Sequence, residues 1–497
     1  MKRILRWYDH IAINSHWLGL NIASGSITPV ILPYLVVLFV PAEQKNTYLA
    51  TIRVIGLAVA MLVQPVAGMF SDRSTSQWGR RHPYILWGTI FTILFLLVVG
   101  VSPHLVDSPA DGFFHSLLGV STAYIVLLAG IVLIQASSNV IFGALIGLIP
   151  DLVPEDQRGR SSGIKAVFEL LPTFLVVFIG PLVDAGRMWL VIGIVMGSLL
   201  LTMLITLIFV HEEPQQEKPK GGISERFWRL VALTTIFVIV TRAAVWLVQT
   251  GASALSERGA SIVLQIALVG LAGLVAMAGS ILVGVYFGAW VGIGKGARQQ
   301  TSFIWWVINR LLFLSAVGSI QSFALYYLRD YLKAENPATM TTILLAVVGL
   351  FLIPSALGGG HLADRMGRKR LVAYAGGFAC VGTLLLLFST SFFMVVVSGC
   401  IIGLGTGTFM ATNWALGTDL APSEEAGRYL GISNLAGAGA GIVGAGIGGP
   451  MADFFNQFQP GLGYLVIFAI YAALFLLSVF TLTGIRLPQE TPQLKTV

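Results

Sequence analysis

The sequence predicts an all-α polytopic membrane protein: two pseudo-symmetric six-helix bundles with two extra central helices, about 14 transmembrane helices in all. Three observations predict it. The composition is too apolar for a water-soluble core, apolar runs of spanning length follow one another along the chain, and a set of short motifs repeats in order.

Of the 497 residues, 56% are hydrophobic and only 11% charged, with a mean hydropathy of +0.83. Soluble domains carry about 25% charged residues, and much of any folded surface must face water. The net charge of +7 and pI ≈ 9.4 do not indicate nucleic acid, because the basic residues sit in short loops between apolar runs, as a membrane-orientation signal does. The two cysteines, Cys380 and Cys400, offer neither a disulfide framework nor a metal spacing. Met1-Lys2-Arg3 resembles the start of a signal peptide, but the apolar run behind it reaches Val40, longer than an h-region of ~7–15 residues. It is read as an uncleaved first span.

Runs near 12–40, 47–70, 84–101, 120–150, 163–183 and 188–210 make up the first bundle. Those near 227–250 and 261–291 are the extra pair, and 302–328, 340–360, 371–389, 392–417, 430–452 and 462–485 make up the second bundle. They are long and continuous rather than alternating, which implies helices and not barrel strands. With the N-terminus inside, only Lys45, Arg187, Arg258, Arg329 and Lys333 fall on outer segments, and Arg53, Arg242 and Arg310 fall within spans. This positive-inside bias predicts both termini in the cytoplasm.

Three motifs occur twice in the same order. Gly68-Met69-Phe70-Ser71-Asp72-Arg73, followed by Gly79-Arg80-Arg81, returns as Gly360-His361-Leu362-Ala363-Asp364-Arg365, followed by Gly367-Arg368-Lys369. Asp151-Leu152-Val153-Pro154 with Gly159-Arg160 returns as Asp419-Leu420-Ala421-Pro422 with Gly427-Arg428. Gly180-Pro181-Leu182-Val183-Asp184 returns as Gly449-Pro450-Met451-Ala452-Asp453. Duplication of one six-helix unit accounts for all three. The domain expectation is therefore 1–216, a linker and added pair over 217–301, and 302–497.

The charged repeats suit a gate. Gly68 and Gly360 allow close helix approach, an Asp can cap a helix or pair with Arg, and such networks break and reform. The gating set is Asp72, Arg73, Arg80, Arg81, Arg160, Asp364, Arg365, Asp419 and Arg428. The bland alternative is a basic loop that only sets orientation. Within the spans, Glu169 is the carboxylate lying well over a turn inside a helix, four residues after Lys165 and on the same face. It is read either as a group that exchanges a proton during transport or as a static ion pair. Arg53 either contacts substrate or reaches outward to the interface, and Arg242 and Arg310 read as interfacial or paired residues. The run from Gly431 to Gly449-Pro450, with Gly437-xxx-Gly441 and Gly444-xxx-Gly448, predicts close packing of its helix.

The GxxxDR…GRR loops resemble the signature of the major facilitator superfamily. Ser71 to Pro83 also resembles the same loop of sucrose and other glycoside–proton symporters. That resemblance implies alternating access, with the first and fourth helix of each bundle lining a central cavity. On those helices Asn21, Gln135, Asn139, Gln321, Thr412, Asn413 and Trp414 are the candidate substrate contacts, since amides, hydroxyls and an indole suit a neutral polyhydroxyl ligand. The same resemblance makes Asp151 a second proton-coupling candidate beside Glu169. The expected function is proton-coupled symport of a sugar or glycoside. The alternatives are a proton-antiport exporter of drugs or amphipathic molecules and a non-transporting receptor on the same fold. The expected partners are a small-molecule substrate and the lipid bilayer of the plasma (inner) membrane, and the expected state is monomeric. No catalytic cluster, Gly-Lys-Thr phosphate loop or metal spacing is present in the sequence. The expectation is no enzyme activity, no metal and no cofactor, with H+ as coupling ion.

Overall fold

The structure, a computed structural model, describes residues 5–214, 224–294, 300–420 and 426–486, and among these there is no strand. The first six long helices are α1 (Trp7–Phe39), α2 (Lys45–Ser71), α3 (His82–Leu105), α4 (Thr122–Leu152), α5 (Glu155–Asp184) and α6 (Met188–Phe209). They are followed by α7 (Phe227–Glu257) and α8 (Ile262–Val291), and then by α9 (Thr301–Tyr331), α10 (Pro337–Met366), α11 (Arg368–Leu387) and α12 (Phe392–Leu420). The last two are α13 (Ala426–Asn456) and α14 (Leu462–Gly484). All except α13 are individually long and apolar enough to cross a membrane, and α13, at 31 residues, stands where the remaining apolar run lies. The chain is an integral membrane protein of helices, the architecture that satisfies every backbone group inside a hydrocarbon layer. Phe178, Leu357, Val263 and Trp246 are exposed, as large apolar side chains against lipid would be.

Helix ends lie within a few residues of the apolar runs at most positions. The larger departures are extensions: α5 begins at Glu155 and α7 continues to Glu257, because polar turns at the membrane surface carry on helical. A short helix, Pro109–Leu118, joins α3 to α4 and has no counterpart in the apolar pattern. Its Asp111 accepts from the Thr122 N–H at 2.6 Å and caps α4.

Two irregular helices position the site. α1 opens into a wide π turn at Ile27–Ile31, where Pro29 lacks the N–H a regular turn would use. α5 is broken into segments: a helix over Arg158–Leu170, a short turn beginning at Pro172, and a last turn over Ile179–Asp184. One helix thus carries Lys165 and Glu169 in one segment and Asp184 in another.

α7 and α8 pack on each other and against α13. Phe237 of α7, only 1% exposed, lies against Gly284 of α8 and Gly439 of α13. One expectation is corrected: Gly68 does approach α4, but Gly360 meets open space, and the neighbouring Gly359 makes the contact with Thr408 of α12. A one-residue shift rotates the small face by about 100°, which the motif alignment alone does not reveal.

Candidate functional site

Alternation of the helices puts the loops that follow Ser71 and Met366 on one face of the bundle, here called the motif face. The opposite face carries the starts of α2 and α10.

A cavity of about 130 Å³ opens among α1, α2, α3 and α4. Ser24 and Thr28 of α1, Arg53 of α2, Thr92 of α3, and Gln135 and Ser138 of α4 supply its polar wall, with Phe142 and Leu57 among its apolar lining. Asn139 donates to the Gln135 carbonyl at 2.8 Å, and Asn21 donates to the Trp17 carbonyl at 2.8 Å. Both amides are therefore engaged on their own helices.

A second polar cluster sits among α9 and α12. Arg310 donates to Asn413 Oδ1 at 3.3 Å, Asn413 Nδ2 donates to Asn309 Oδ1 at 2.8 Å, and Trp306 Nε1 donates to the Asn413 carbonyl at 2.8 Å. The Arg310 guanidinium lies 5.2 Å from the Trp414 ring centroid, within cation–π range. Asn413 is buried and fully engaged, Thr412 donates to the Thr408 carbonyl, and Gln321 is exposed. Of the seven candidate substrate contacts, the structure brings Gln135 to the cavity wall and Trp414 to a cation. It assigns Asn413 and Thr412 bonds within the bundle in this conformation.

On α5, Lys165 pairs with Glu169 at 2.9 Å and stands 4.2 Å above the Trp17 ring of α1. The Lys165–Glu169 pair expected from the spacing is formed.

At the motif face, Arg81 is almost fully buried and binds Asp72 at 2.5 Å and Asp151 at 2.9 Å, while Arg80 binds Asp151 as well. Ser71 accepts from Arg81 Nη1, and Glu212 accepts from the Arg81 N–H at 2.7 Å. In the second copy Arg368 pairs with Asp419 and donates to the Ala415 carbonyl at 3.0 Å. Arg368 was within the repeated motif but not among the candidate gate residues; its alignment with Arg80 was the available signal. Asp364, Arg365, Arg160 and Arg73 form no ion pair among the described residues, the first three being exposed. Arg428 lies outside the described side chains. Every motif-face ion pair among the described residues joins elements of the same repeat.

The opposite face is different. Asp184 of α5 accepts from the Ala338 N–H at 3.1 Å, the Thr339 N–H at 2.7 Å and the Thr339 hydroxyl at 2.6 Å, at the start of α10. Its repeat partner Asp453 of α13 accepts from the Asn46 N–H at 3.2 Å, Asn46 Nδ2 at 2.7 Å and the Thr47 N–H at 2.7 Å, at the start of α2. Each carboxylate fills the orphan donors of a helix N-terminus, where the helix dipole also favours an anion. Each reaches across from one repeat to the other. Gly180 and Gly449 make the approach possible: a Cβ on Gly180 would lie 2.7 Å from the Ala338 oxygen, and one on Gly449 would lie 2.5 Å from the Asn46 oxygen. Lys45 pairs with Asp330 at 2.5 Å, Tyr464 donates to Asp330 at 2.6 Å, and Tyr326 donates to the Pro33 carbonyl at 2.9 Å. The Lys45–Asp330 and Tyr326–Pro33 contacts also join the two repeats at this face. Sequence reasoning paired the GP…D motifs but assigned them no role, because the distance between α5 and α10 is invisible in one dimension.

A helical bundle with a polar interior, two repeated ion-pair clusters on one face and interlocked repeats on the other defines a membrane-transporter fold. The chain belongs to the major facilitator superfamily: a family model described as MFS/sugar transport protein matches residues 19–233, and one described as Major Facilitator Superfamily matches 307–497. A general alpha-glucoside permease of Schizosaccharomyces pombe is 28% identical over 193 residues, 37% of this chain and 34% of the permease. A sucrose transport protein of Oryza sativa subsp. japonica is 34% identical over 114 residues, 22% of this chain and 21% of that protein. A minor myo-inositol transporter of Bacillus subtilis is 29% identical over 162 residues, 32% of this chain and 35% of that protein. The matched stretches thus span about a third or less of these relatives. Among solved structures, a D-xylose-proton symporter superposes with a TM-score of 0.62 at 14% identity, covering 97% of this chain and 98% of that one. A peptide transporter gives 0.63 at 14% identity, covering 95% and 93%. At this identity the likeness is one of fold.

Proposed function

We propose that this chain is a secondary active transporter that carries a sugar or glycoside together with a proton by alternating access. The observation that carries the reading is the asymmetry of its two faces. One is locked by reciprocal bonds between the repeats, and the other holds ion pairs only within each repeat among its described residues. In this reading 1–216 and 302–497 are the two rocking bundles and 217–301 is an added pair beside them. The motif face is cytoplasmic, both termini are inside, and the membrane is the plasma membrane. The captured conformation is then closed outward. Relatives that carry glucosides, sucrose and inositol support the substrate class. The hydroxyl and amide groups of the cavity suit it.

Proton coupling falls to Glu169 or Asp151. Asp151 is clasped by two arginines, so freeing it means breaking both bonds, whereas Glu169 has Lys165 as its ion-pair partner. Glu169 is therefore the better candidate for a carboxyl that changes partner as the cavity alternates. Counterflow in proteoliposomes tests the substrate class without requiring coupling. Vesicles preloaded with an unlabelled sugar should draw in the labelled one from a panel of mono- and disaccharides. Exchange of amphipathic drugs and of no sugar would replace this reading with the exporter.

A further inference from the structure

We propose that the transported solute bears an oxyanion, a carboxylate or a phosphate attached to the sugar, and that Arg53 is the group that binds it. The inference rests on the sugar-transport reading and narrows it to acidic sugars.

Arg53 stands eight residues into α2, about 12 Å along the helix from its start at 1.5 Å per residue. It lines the cavity with Ser24, Thr28, Gln135 and Ser138. Its guanidinium makes no hydrogen bond or ion pair with any described residue, and its Nε is buried without a partner. The Tyr471 hydroxyl, from the other repeat, donates to the Gly444 carbonyl at 3.1 Å. No Asp or Glu is among the lining residues of the cavity. A guanidinium offers five donors in a fixed fork and no acceptor. Inside a membrane such a charge is costly unless it is paired or solvated.

The other cations at comparable depth are differently placed. Lys165 is paired with Glu169 and stacked on Trp17. Arg310 donates to Asn413 and lies against Trp414. Arg242 of α7 is exposed on the added pair. Arg53 therefore remains a forked donor without a described hydrogen-bonding partner, on the wall of a cavity whose volume is several times the ~30 Å³ share of one water. The geometry of a guanidinium fork matches two oxygens of a carboxylate or phosphate. The hydroxyl and amide groups around it are the partners a sugar ring would use.

The test uses the purified full chain in lipid nanodiscs and three probes: methyl β-glucoside, methyl β-glucuronide and glucose 6-phosphate. The first two differ at one carbon, hydroxymethyl against carboxylate, and the third carries the alternative oxyanion. Titration calorimetry should show at least one acidic probe binding about tenfold or more tighter than the glucoside, the size of one charged hydrogen bond. Which acid wins distinguishes carboxylate from phosphate. Arg53→Gln should abolish the preference, and Arg53→Lys should retain part of it. Equal or tighter binding of the glucoside by the wild-type chain would overturn the inference while leaving the sugar reading intact. So would an acid preference that survives Arg53→Gln. Binding of none of the three, with no sugar counterflow, would overturn both. Because the wild-type comparison needs no variant, poor folding of Arg53→Gln leaves the inference open to refutation.

Discussion

The Asp453 carboxylate accepts a 2.7 Å hydrogen bond from the backbone N–H of Thr47, so the end of one repeat holds the first turn of a helix in the other. Asp184 makes the same kind of bond to Thr339, also at 2.7 Å. Hydrogen bonds to a charged group contribute about 1.5–3 kcal/mol each. Asp453→Ala and Asp184→Ala should therefore shift the population toward the state open at this face by about tenfold or more. A cysteine at Thr28, which lines the cavity, in a background lacking Cys380 and Cys400, should react correspondingly faster with an impermeant maleimide added on that side. Unchanged rates in both variants would remove the latch from the account.

Sterics should act in the same direction. A side chain at Gly449 would meet the Asn46 oxygen and, at 2.6 Å, the Ala50 Cβ. Both neighbours belong to α2, which can yield only by moving as a helix. Gly449→Leu should splay this face and raise Thr28→Cys labelling, even with Asp453 intact. Gly449→Leu with wild-type labelling would mean that the close approach is not part of the closure.

How far the site was legible in the sequence depends on separation along the chain. The helices were plain because twenty apolar residues are a local signal, and the Lys165–Glu169 pair was plain because four residues make one turn. The Arg81–Asp72–Asp151 cluster was foreshadowed by the repeat. The partners of Asp184 and Asp453 were not, since each lies on a distant helix brought near by tertiary packing. Asn413 looked like a ligand contact for the same reason: its partners Asn309 and Arg310 come from another helix.

At the motif face, Asp364 and Arg365 are unpaired among the described residues while Asp72 is held by Arg81. In the account proposed here, Asp364 finds its partner only when this face closes. Asp364→Asn should then favour the present conformation and slow labelling of Thr28→Cys from the opposite side. Asp72→Asn breaks a pair with Arg81 that is already made in the present conformation, so it should not share this effect and serves as the control. Equal labelling in Asp364→Asn and the parent would reduce these loops to orientation signals.

Coupling separates two carboxylates. Glu169→Gln should abolish accumulation driven by a pH gradient while sparing counterflow, because exchange needs no net proton movement. Asp151→Asn, measured beside it, should impair both by undoing the Arg80 and Arg81 contacts. Wild-type accumulation by Glu169→Gln, with its loss in Asp151→Asn, would transfer the coupling role to Asp151.

The central claim is proton-driven alternating access, and uptake into proteoliposomes under an imposed pH gradient tests it most directly. With the outside made acidic and a counterflow-competent labelled sugar supplied, the account predicts accumulation above the external concentration, collapsing when a protonophore is added. Uptake that only equilibrates, or extrusion of solute against the entering protons, would contradict it.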